Sequence, residues 1–245
     1  MPLLSVLTTA QAGRAGFLVE AGESLAAQEL PEGWEFEWVV QEDGPEPALA
    51  DVLAPFPFAR YSANGEKLGI GTTRNVALVR AGGELVHVLD DDDRLLPTAL
   101  ASAITVLADH PEVAWVATQA DDLFQGDLRL PYPPSLTPGV VDRGVVGTFV
   151  LDHGHTPVLC VGLTVRTDAV RALGGWVALP RGEDLSLVVA LNELTPGYLL
   201  PEVTYLYRRH ADQITRQASW PALHPESMTA VRQRLAALRA LAAGA

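Results

Sequence analysis

The chain has 245 residues, of which 48% are hydrophobic and 19% are charged, a composition typical of a globular protein with a sizeable core. Its 30 acidic and 17 basic residues give a formal charge of -13, which argues against nucleic acid or an anionic membrane surface as the general partner. Phosphate groups can still bind locally, and because Lys67 is the only lysine, arginine is the expected contact for them.

The first half of the chain alternates predicted strands and helices. An apolar run at 3–9 predicts a strand, and apolar residues at helical spacing over 13–30 predict a helix. Further strands are expected at 34–40, 58–62, 85–89 and 113–119, and further helices at 48–53, 69–81 and 97–109. Strand, helix and strand in this order build a parallel sheet.

The pattern changes beyond residue 120. Residues 121–146 include a proline-rich stretch, which can continue neither a helix nor a central strand, and both a substrate lid and a plain surface loop are open interpretations. Strands are then predicted at 149–151, 158–166, 198–200 and 203–207, and helices at 168–173 and 183–194. An amphipathic helix at 225–243 is expected to pack against the body, with a homodimer contact as the second possibility.

Two features bear on the compartment. The single cysteine, Cys160, cannot form a disulfide within the chain and lies in an apolar run, as a core residue does. The chain opens without the positive region of a signal peptide, and no stretch has the ~20 uninterrupted apolar residues of a membrane span. We therefore expect a cytoplasmic protein with no membrane span.

Four consecutive carboxylates, Asp90 to Asp93, follow the buried-strand pattern at 85–89. Adjacent like charges raise one another's pKa unless a cation, hydrogen-bond donors or water compensate them. A hard divalent ion such as Mg²⁺, Mn²⁺ or Ca²⁺ accepts carboxylate oxygens and leaves positions for phosphate, whereas the alternative is a solvated loop that caps the next helix. Open α/β sheets bind ligands at the carboxyl ends of their strands, which favours the metal site.

Short motifs run in a fixed order through nearly the whole chain. They are Ser5-Val-Leu-Thr-Thr9, Asp43, Thr73-Arg74-Asn75, Ala81-Gly-Gly-Glu84, Leu89 to Asp93, Gly174-Gly175-Trp176, Gly182-Glu183-Asp184 and Tyr207-Arg208-Arg209-His210. Together they resemble the GT-A glycosyltransferases of family 2. The resemblance implies an α/β fold, a single Rossmann-like GT-A domain whose mostly parallel mixed sheet is flanked by helices. It divides the chain into a nucleotide-sugar half at 1–120, an acceptor half at 121–224 and a C-terminal helix at 225–245.

The resemblance also implies roles on the donor side. Asp90 and Asp92 occupy the first and third positions of a D-x-D motif, which meet the ribose and a metal, Mn²⁺ or Mg²⁺. Asp92 is the expected metal ligand. Asp91 is a further expected contact of the nucleotide sugar, but it departs from the family by adding charge and leaves open which carboxylates touch the cation. The other implied contacts are Thr8, Thr9 and Asp43 for the nucleobase end, Arg74 and Arg181 for the phosphates, and His210 for the metal or the diphosphate.

Each of these residues also has a structural alternative. Thr8 and Thr9 fit ordinary strand packing, and Asp43 fits a turn before Gly44. Arg74 fits a salt bridge on a helix surface, and a lone histidine such as His210 is usually structural.

For the chemistry, the resemblance implies that Asp184 is the catalytic base and that Glu183 orients the acceptor. A carboxylate bonded to an acceptor hydroxyl would take its proton as the bond to C1 forms from the opposite face, which gives inversion. The structural alternative is that two acids at a helix start merely stabilise that end.

The sequence thus predicts a metal-dependent inverting glycosyltransferase of the hexosyltransferase kind. Its partners would be a UDP, GDP or dTDP sugar and a hydroxyl acceptor, which we expect to be small and soluble. A non-catalytic module that binds nucleotide sugars or divalent metal, a nucleotidyltransferase on a related sheet, and retention of configuration are the open alternatives. A nucleotidyltransferase would have a basic, glycine-rich loop after the first strand. It is disfavoured because residues 11–16 contain no lysine.

Overall fold

The computed structural model describes residues 1–132 and 135–244. The strands are β1 (Leu3–Ala10), β2 (Glu35–Glu42), β3 (Ala59–Ala63), β4 (Leu85–Val88), β5 (Arg94–Leu95), β6 (Trp115–Leu123), β7 (Arg129–Tyr132), β8 (Gly139–Val141), β9 (Thr164–Arg166) and β10 (Gly197–Arg208). The α-helices are α1 (Ala15–Ala26), α2 (Ala50–Leu53), α3 (Ile70–Arg80), α4 (Ala99–Asp109), α5 (Val145–His153), α6 (Thr167–Ala172), α7 (Glu183–Leu194) and α8 (His224–Ala243).

The strands form one mixed sheet in the order β3-β2-β1-β4-β9-β6-β10-β5, with β7 beside β6 and β8 beside β10. Parallel ladders join β1 to β2 and β4, β2 to β3, and β6 to β10. Short antiparallel pairings place β9 between β4 and β6 and attach β5, β7 and β8. The predicted α/β sheet flanked by helices is confirmed.

The parallel centre of the sheet brings several polar segments to one edge. Leu7 in β1 pairs with Val39 of β2 on one side and with Val88 of β4 on the other. Residues 4–10 are all buried, as expected for a strand whose two faces are both covered. Because β1, β2 and β4 run in the same direction, the residues that follow them meet at their shared carboxyl edge.

Two predicted strands in the second half are wrong. Residues 149–151 lie inside helix α5, whose buried Val146 and Val150 are four residues apart on one helical face. Of the predicted strand at 158–166, only Thr164–Arg166 is extended. Gly162 interrupts this run with a φ of +70°, a left-handed conformation that residues other than glycine rarely adopt. Short apolar runs fit strand and helix patterns equally well, which explains the first error, whereas the turn at Gly162 explains the second.

The proline-rich segment contributes an edge strand. Strand β7 pairs antiparallel with the end of β6 and contains Pro131, which an edge strand tolerates because one side needs no backbone donor. The predicted loop at 121–146 therefore contains the end of β6 together with β7 and β8. Pro133 and Pro134 lie outside the described residues.

The last helix packs against the body, as predicted. Helix α8 contacts α7 and buries Met228, Val231 and Leu235, while Leu238 of the predicted stripe is half-buried. Across the described ranges, no helix combines the length and the apolar character that crossing a membrane requires.

Candidate active site

Two adjoining cavities open at the carboxyl edge of β1, β2 and β4. The first, here called the β1 cavity, has a volume of about 90 Å³ and is bordered by the residues that follow these three strands. The second, here called the α7 cavity, has a volume of about 330 Å³ and includes the start of helix α7. Both cavities are lined by Ile70, Asp90, Tyr207, Ile214 and Thr215, so together they form one cleft.

The acidic turn between β4 and β5 is held by an arginine. Arg14 places its Nη1 2.9 Å from an oxygen of Asp91 and 2.9 Å from Oδ2 of Asp92. Asp91 also accepts the backbone N–H of Gln11 at 2.9 Å. The same oxygen of Asp92 lies 2.8 Å from Nε2 of His210. These contacts compensate part of the like-charge repulsion that the sequence predicts.

Asp93 ties the turn to strand β10. Its carboxylate accepts a hydrogen bond from the Tyr205 hydroxyl at 2.8 Å and from the Arg208 backbone N–H at 2.7 Å. Burial and the neighbouring Asp92 and Asp90 raise the pKa of Asp93 well above its usual value. Asp93 therefore connects the turn to the sheet, and each of its two oxygens accepts one hydrogen bond.

Three of the four carboxylates could hold a divalent ion together. Asp90, Asp92 and Asp93 each offer an oxygen, and these atoms lie within 4.8 Å of one another. Oδ2 of Asp90 and Oδ1 of Asp92 accept no hydrogen bond from any described residue. Oxygen donors of this kind suit Mg²⁺ or Mn²⁺, so the residues fit a hard cation. Asp91 is outside the group, as is His210, whose Nε2 is bonded to Asp92.

Sequence reasoning missed Arg14. The available signal was the extra acid at Asp91, which needs a compensating charge, together with a basic residue in the loop after the first strand. Burial and Asp92 raise the pKa of Asp91 to about 7, against the opposing effect of Arg14. The departure from the family pattern at Asp91 is thus matched by an internal partner.

Arg74 joins the acidic turn to helix α7. This buried side chain donates from Nη2 to Asp90 at 2.7 Å and from Nη1 to Glu183 at 3.0 Å. It lies within the cleft wall, so the helix-surface alternative is excluded. The neighbouring Asn75 exchanges two hydrogen bonds with the backbone of Trp176, at 2.7 and 2.9 Å, and so orders the glycine turn before α7.

The two acids at the start of α7 have different surroundings. Glu183 is 4% exposed, and burial and Asp184 raise its pKa to about 7, against the opposing effect of Arg74. Asp184 is half-buried on the wall of the α7 cavity, and its Oδ1 accepts the Leu185 backbone N–H at 2.6 Å. Of these two acids, Asp184 is therefore the one available to a molecule in the α7 cavity.

The raised pKa of Glu183 predicts a pH dependence of stability. Its carboxyl titrates near 4.5 when unfolded and at about 7 when folded, so the folded state retains a proton that the unfolded state has released between these values. Stability from this group is therefore present at low pH and is lost as pH rises from about 4.5 to about 7. Buried His87, whose pKa is lowered to about 3, acts in the opposite direction.

We expect Glu183→Gln to remove this contribution. The melting temperature of the metal-free protein is measured at pH 5 and at pH 8 for both proteins. Between these two values, the melting temperature of Glu183→Gln should fall less, or rise more, than that of wild type. Glu193→Gln, on the same helix, serves as control and should keep the wild-type pH profile. Identical pH profiles for Glu183→Gln and wild type, measured by scanning calorimetry, would contradict the assignment.

The residues predicted to contact the nucleobase do not all line the β1 cavity. Asp43 lines the β1 cavity, and its carboxylate accepts the backbone N–H groups of Leu68 and Gly69 at 2.7 and 3.1 Å. Thr9 also lines this cavity. Thr8 does not, because it is fully buried and its hydroxyl donates to the Leu89 carbonyl at 2.7 Å. The Thr8 side chain therefore fits its packing alternative, and Thr9 remains the predicted contact.

Arg181 lies on the side of the cleft away from the β1 cavity. It lines only the α7 cavity of the two, where its guanidinium stacks 4.7 Å from the ring centre of Trp220. The segment 211–224 supplies Trp220 and also Ile214 and Thr215, which border both cavities. Sequence reasoning did not identify Trp220, because no motif or periodic pattern marks this residue.

The geometry can be compared with known proteins. The family model described as "Glycosyl transferase family 2" matches residues 6–145. An uncharacterized protein, y4gI, from Sinorhizobium fredii (strain NBRC 101917 / NGR234) is 30% identical over 135 residues, which cover 52% of this chain and 14% of that protein.

Solved structures match over nearly the whole chain. The crystal structure of S. aureus TarS 1–349 has a TM-score of 0.70 and 18% identity, and the match covers 96% of this chain and 65% of that one. The same protein in complex with UDP-GlcNAc gives a TM-score of 0.70 at 17% identity, covering 97% and 71%. Its complex with UDP gives 0.64 at 18% identity, covering 97% and 70%. These likenesses establish the GT-A fold.

Proposed function

The chain belongs to glycosyl transferase family 2, and on that premise we propose that it transfers a sugar from a nucleoside diphosphate to an acceptor hydroxyl, with the help of a divalent metal and with inversion. One observation carries the proposal: Asp90 of the acidic turn and Asp184 line a single cleft, and Arg74 bonds both Asp90 and Glu183, the neighbour of Asp184. Transfer requires the leaving diphosphate and the reacting hydroxyl to be held side by side, and this arrangement provides a place for each.

The donor belongs in the β1 cavity and at the acidic turn. Thr9 and Asp43 would contact the nucleoside, and Asp90 and Asp92 would hold the metal and the ribose end of the donor. Asp93, whose oxygens are bonded to β10, would support the turn, and His210 would orient Asp92. When bound, Mn²⁺ or Mg²⁺ would supply positive charge that neutralises the leaving diphosphate.

The acceptor belongs in the α7 cavity, with its hydroxyl at Asp184. The carboxylate takes the hydroxyl proton while the acceptor oxygen forms a bond to C1 of the sugar. The bond between C1 and the phosphate oxygen breaks, and its electron pair leaves with the diphosphate. Because attack and departure occur on opposite faces of C1, the product has inverted configuration. Glu183 would act as a positioning residue through its bond to Arg74.

Donor and acceptor contacts would come from successive parts of the chain, in the order that the sequence suggests. Residues 1–120 would supply most of the donor contacts, and residues 121–224 most of the acceptor contacts. Strand β10 and the segment after it border both cavities, so the two halves share the wall at Tyr207, Ile214 and Thr215. UDP is the first nucleotide to test, because TarS has been crystallised with UDP and with UDP-GlcNAc.

Calorimetric titration tests the donor assignment. UDP, GDP and dTDP are titrated into the protein with and without Mn²⁺, and one of them, expected to be UDP, should bind at least about tenfold more tightly with the metal. The physical reason is that the cation screens the diphosphate from a turn of four carboxylates. If none of the three binds in the presence of Mn²⁺, the proposed function is overturned.

A further inference from the structure

Arg181 carries a charge that no described residue balances. Its Nη1 donates to the Trp220 backbone carbonyl at 2.5 Å, and its guanidinium carbon lies 4.7 Å from the Trp220 ring centre. No carboxylate of the described ranges lies within salt-bridge distance of it. Nε and Nη2 of Arg181 make no hydrogen bond to any described residue. These two nitrogens form one edge of the guanidinium fork, the edge that binds a carboxylate or phosphate through two parallel hydrogen bonds.

The other arginines of the α7 cavity are already paired. Arg74 is shared between Asp90 and Glu183, and Arg209 donates to Asp122 at 2.8 Å. In a chain with a formal charge of -13, an uncompensated guanidinium in the cleft is the feature that would retain an anion. Stacking on Trp220 orients the guanidinium, so less side-chain freedom is lost when a ligand binds.

The position of Arg181 assigns this anion to the acceptor. Of the two cavities, Arg181 lines only the one that contains Asp184. Asp43, Asp91 and Asp92 line only the β1 cavity, and Asp90 lines both. The donor phosphates belong beside the acidic turn, where a metal neutralises them. Arg181 is three residues from Asp184, so their Cα atoms are at most about 11 Å apart. One small molecule can therefore contact both side chains.

On this basis, and resting on the proposed function, we propose that the acceptor carries an anionic group, a phosphate or a carboxylate, close to its reactive hydroxyl, and that Arg181 binds this group. The hydroxyl faces Asp184 while the anion lies against the Nε and Nη2 edge of Arg181. Arg181 is thus a specificity-determining residue for the acceptor. A neutral acceptor of the same shape would leave this edge of the guanidinium without a partner.

The test uses three compounds with the same three-carbon frame. sn-Glycerol 3-phosphate, glycerate and glycerol are compared by ligand-observed NMR and calorimetry with the full chain, saturated with UDP and Mg²⁺. Wild-type protein should bind at least one of the two anions about tenfold or more tightly than glycerol, as expected for charge-assisted hydrogen bonds. Whether the phosphate or the carboxylate binds better identifies the kind of anion.

Variants separate the role of Arg181 from general effects. Arg181→Gln should abolish the preference for the anion, while Arg181→Lys should retain part of it because the charge remains but the fork is lost. Arg216→Gln, an exposed residue outside both cavities, should keep the wild-type preference. UDP binding with Mg²⁺ is measured on the same samples and should be unchanged in Arg181→Gln.

The outcomes are distinguishable. If wild type shows no preference for either anion, or if Arg181→Gln keeps the preference, the inference is overturned while the proposed function stands. If UDP fails to bind wild-type protein in the presence of the metal, the proposed function itself is overturned. The proposal that Arg181 binds the acceptor is then overturned as well.

Discussion

Replacement of Asp184 by asparagine should lower the rate of sugar transfer by about 10²–10⁴-fold, the usual contribution of a positioned general base. The amide keeps the shape of the side chain and can still accept the Leu185 N–H, but it cannot take the proton of the acceptor hydroxyl. Asp184 does not line the β1 cavity, so metal-dependent nucleotide binding should stay within about threefold of wild type.

Asp168→Asn is a matched control for this variant. Asp168 is in the first turn of α6, and its Oδ1 accepts the N–H of the next residue, Ala169, at 2.7 Å, as Asp184 does with Leu185. It lies outside both cavities of the cleft, so its loss removes a helix-start carboxylate without touching the proposed chemistry. This control should transfer sugar at the wild-type rate.

The measurement is release of UDP from UDP-GlcNAc in the presence of each of the three-carbon compounds. A wild-type rate in Asp184→Asn would show that the acid pair serves only the helix start. Nucleotide binding without any transfer by wild type, across a panel of nucleotide sugars and hydroxyl acceptors, would favour a non-catalytic binding module.

Asp92→Asn should weaken metal-dependent UDP binding by about a hundredfold or more, because even outer-shell changes at metal sites cost about 10–100-fold in affinity. Asp91→Asn should weaken it less, by about tenfold, as at the lower end for an outer-shell residue. The two acids are neighbours and both contact Arg14, but only Asp92 shares a group of oxygens with Asp90 and Asp93. Asp91 is instead occupied by Arg14 and by the backbone N–H of Gln11.

Titration of UDP with Mn²⁺ into both variants, together with titration of Mn²⁺ alone, measures the difference directly. Equal losses in Asp91→Asn and Asp92→Asn would show that Asp91 also ligates the ion and that Arg14 leaves its place when the metal binds. If UDP binding with Mn²⁺ is unchanged in Asp92→Asn, the turn is not a metal site. It is then an acidic loop that stabilises the protein through internal partners.

Much of the first half was determined by the sequence alone. Periodic apolar patterns located β1, β2, β4 and helix α3 within a few residues of their observed bounds. Helix α7 begins and ends at the predicted residues, Glu183 and Leu194, because a glycine turn precedes it and Thr195 and Pro196 follow it. The ordered motifs also sufficed to indicate the family.

Tertiary structure alone decided which polar groups meet. Arg14 reaches Asp91 across 77 positions of sequence, and Arg74 reaches Glu183 across 109, and no local pattern encodes such pairs. Likewise, Thr8 and Thr9 are adjacent in sequence and both are buried, yet only Thr9 lines the β1 cavity. Local periodicity determines where a backbone bends and which face is apolar. The partner of a buried charge depends on which strand ends the sheet brings together, and this is a property of the folded chain.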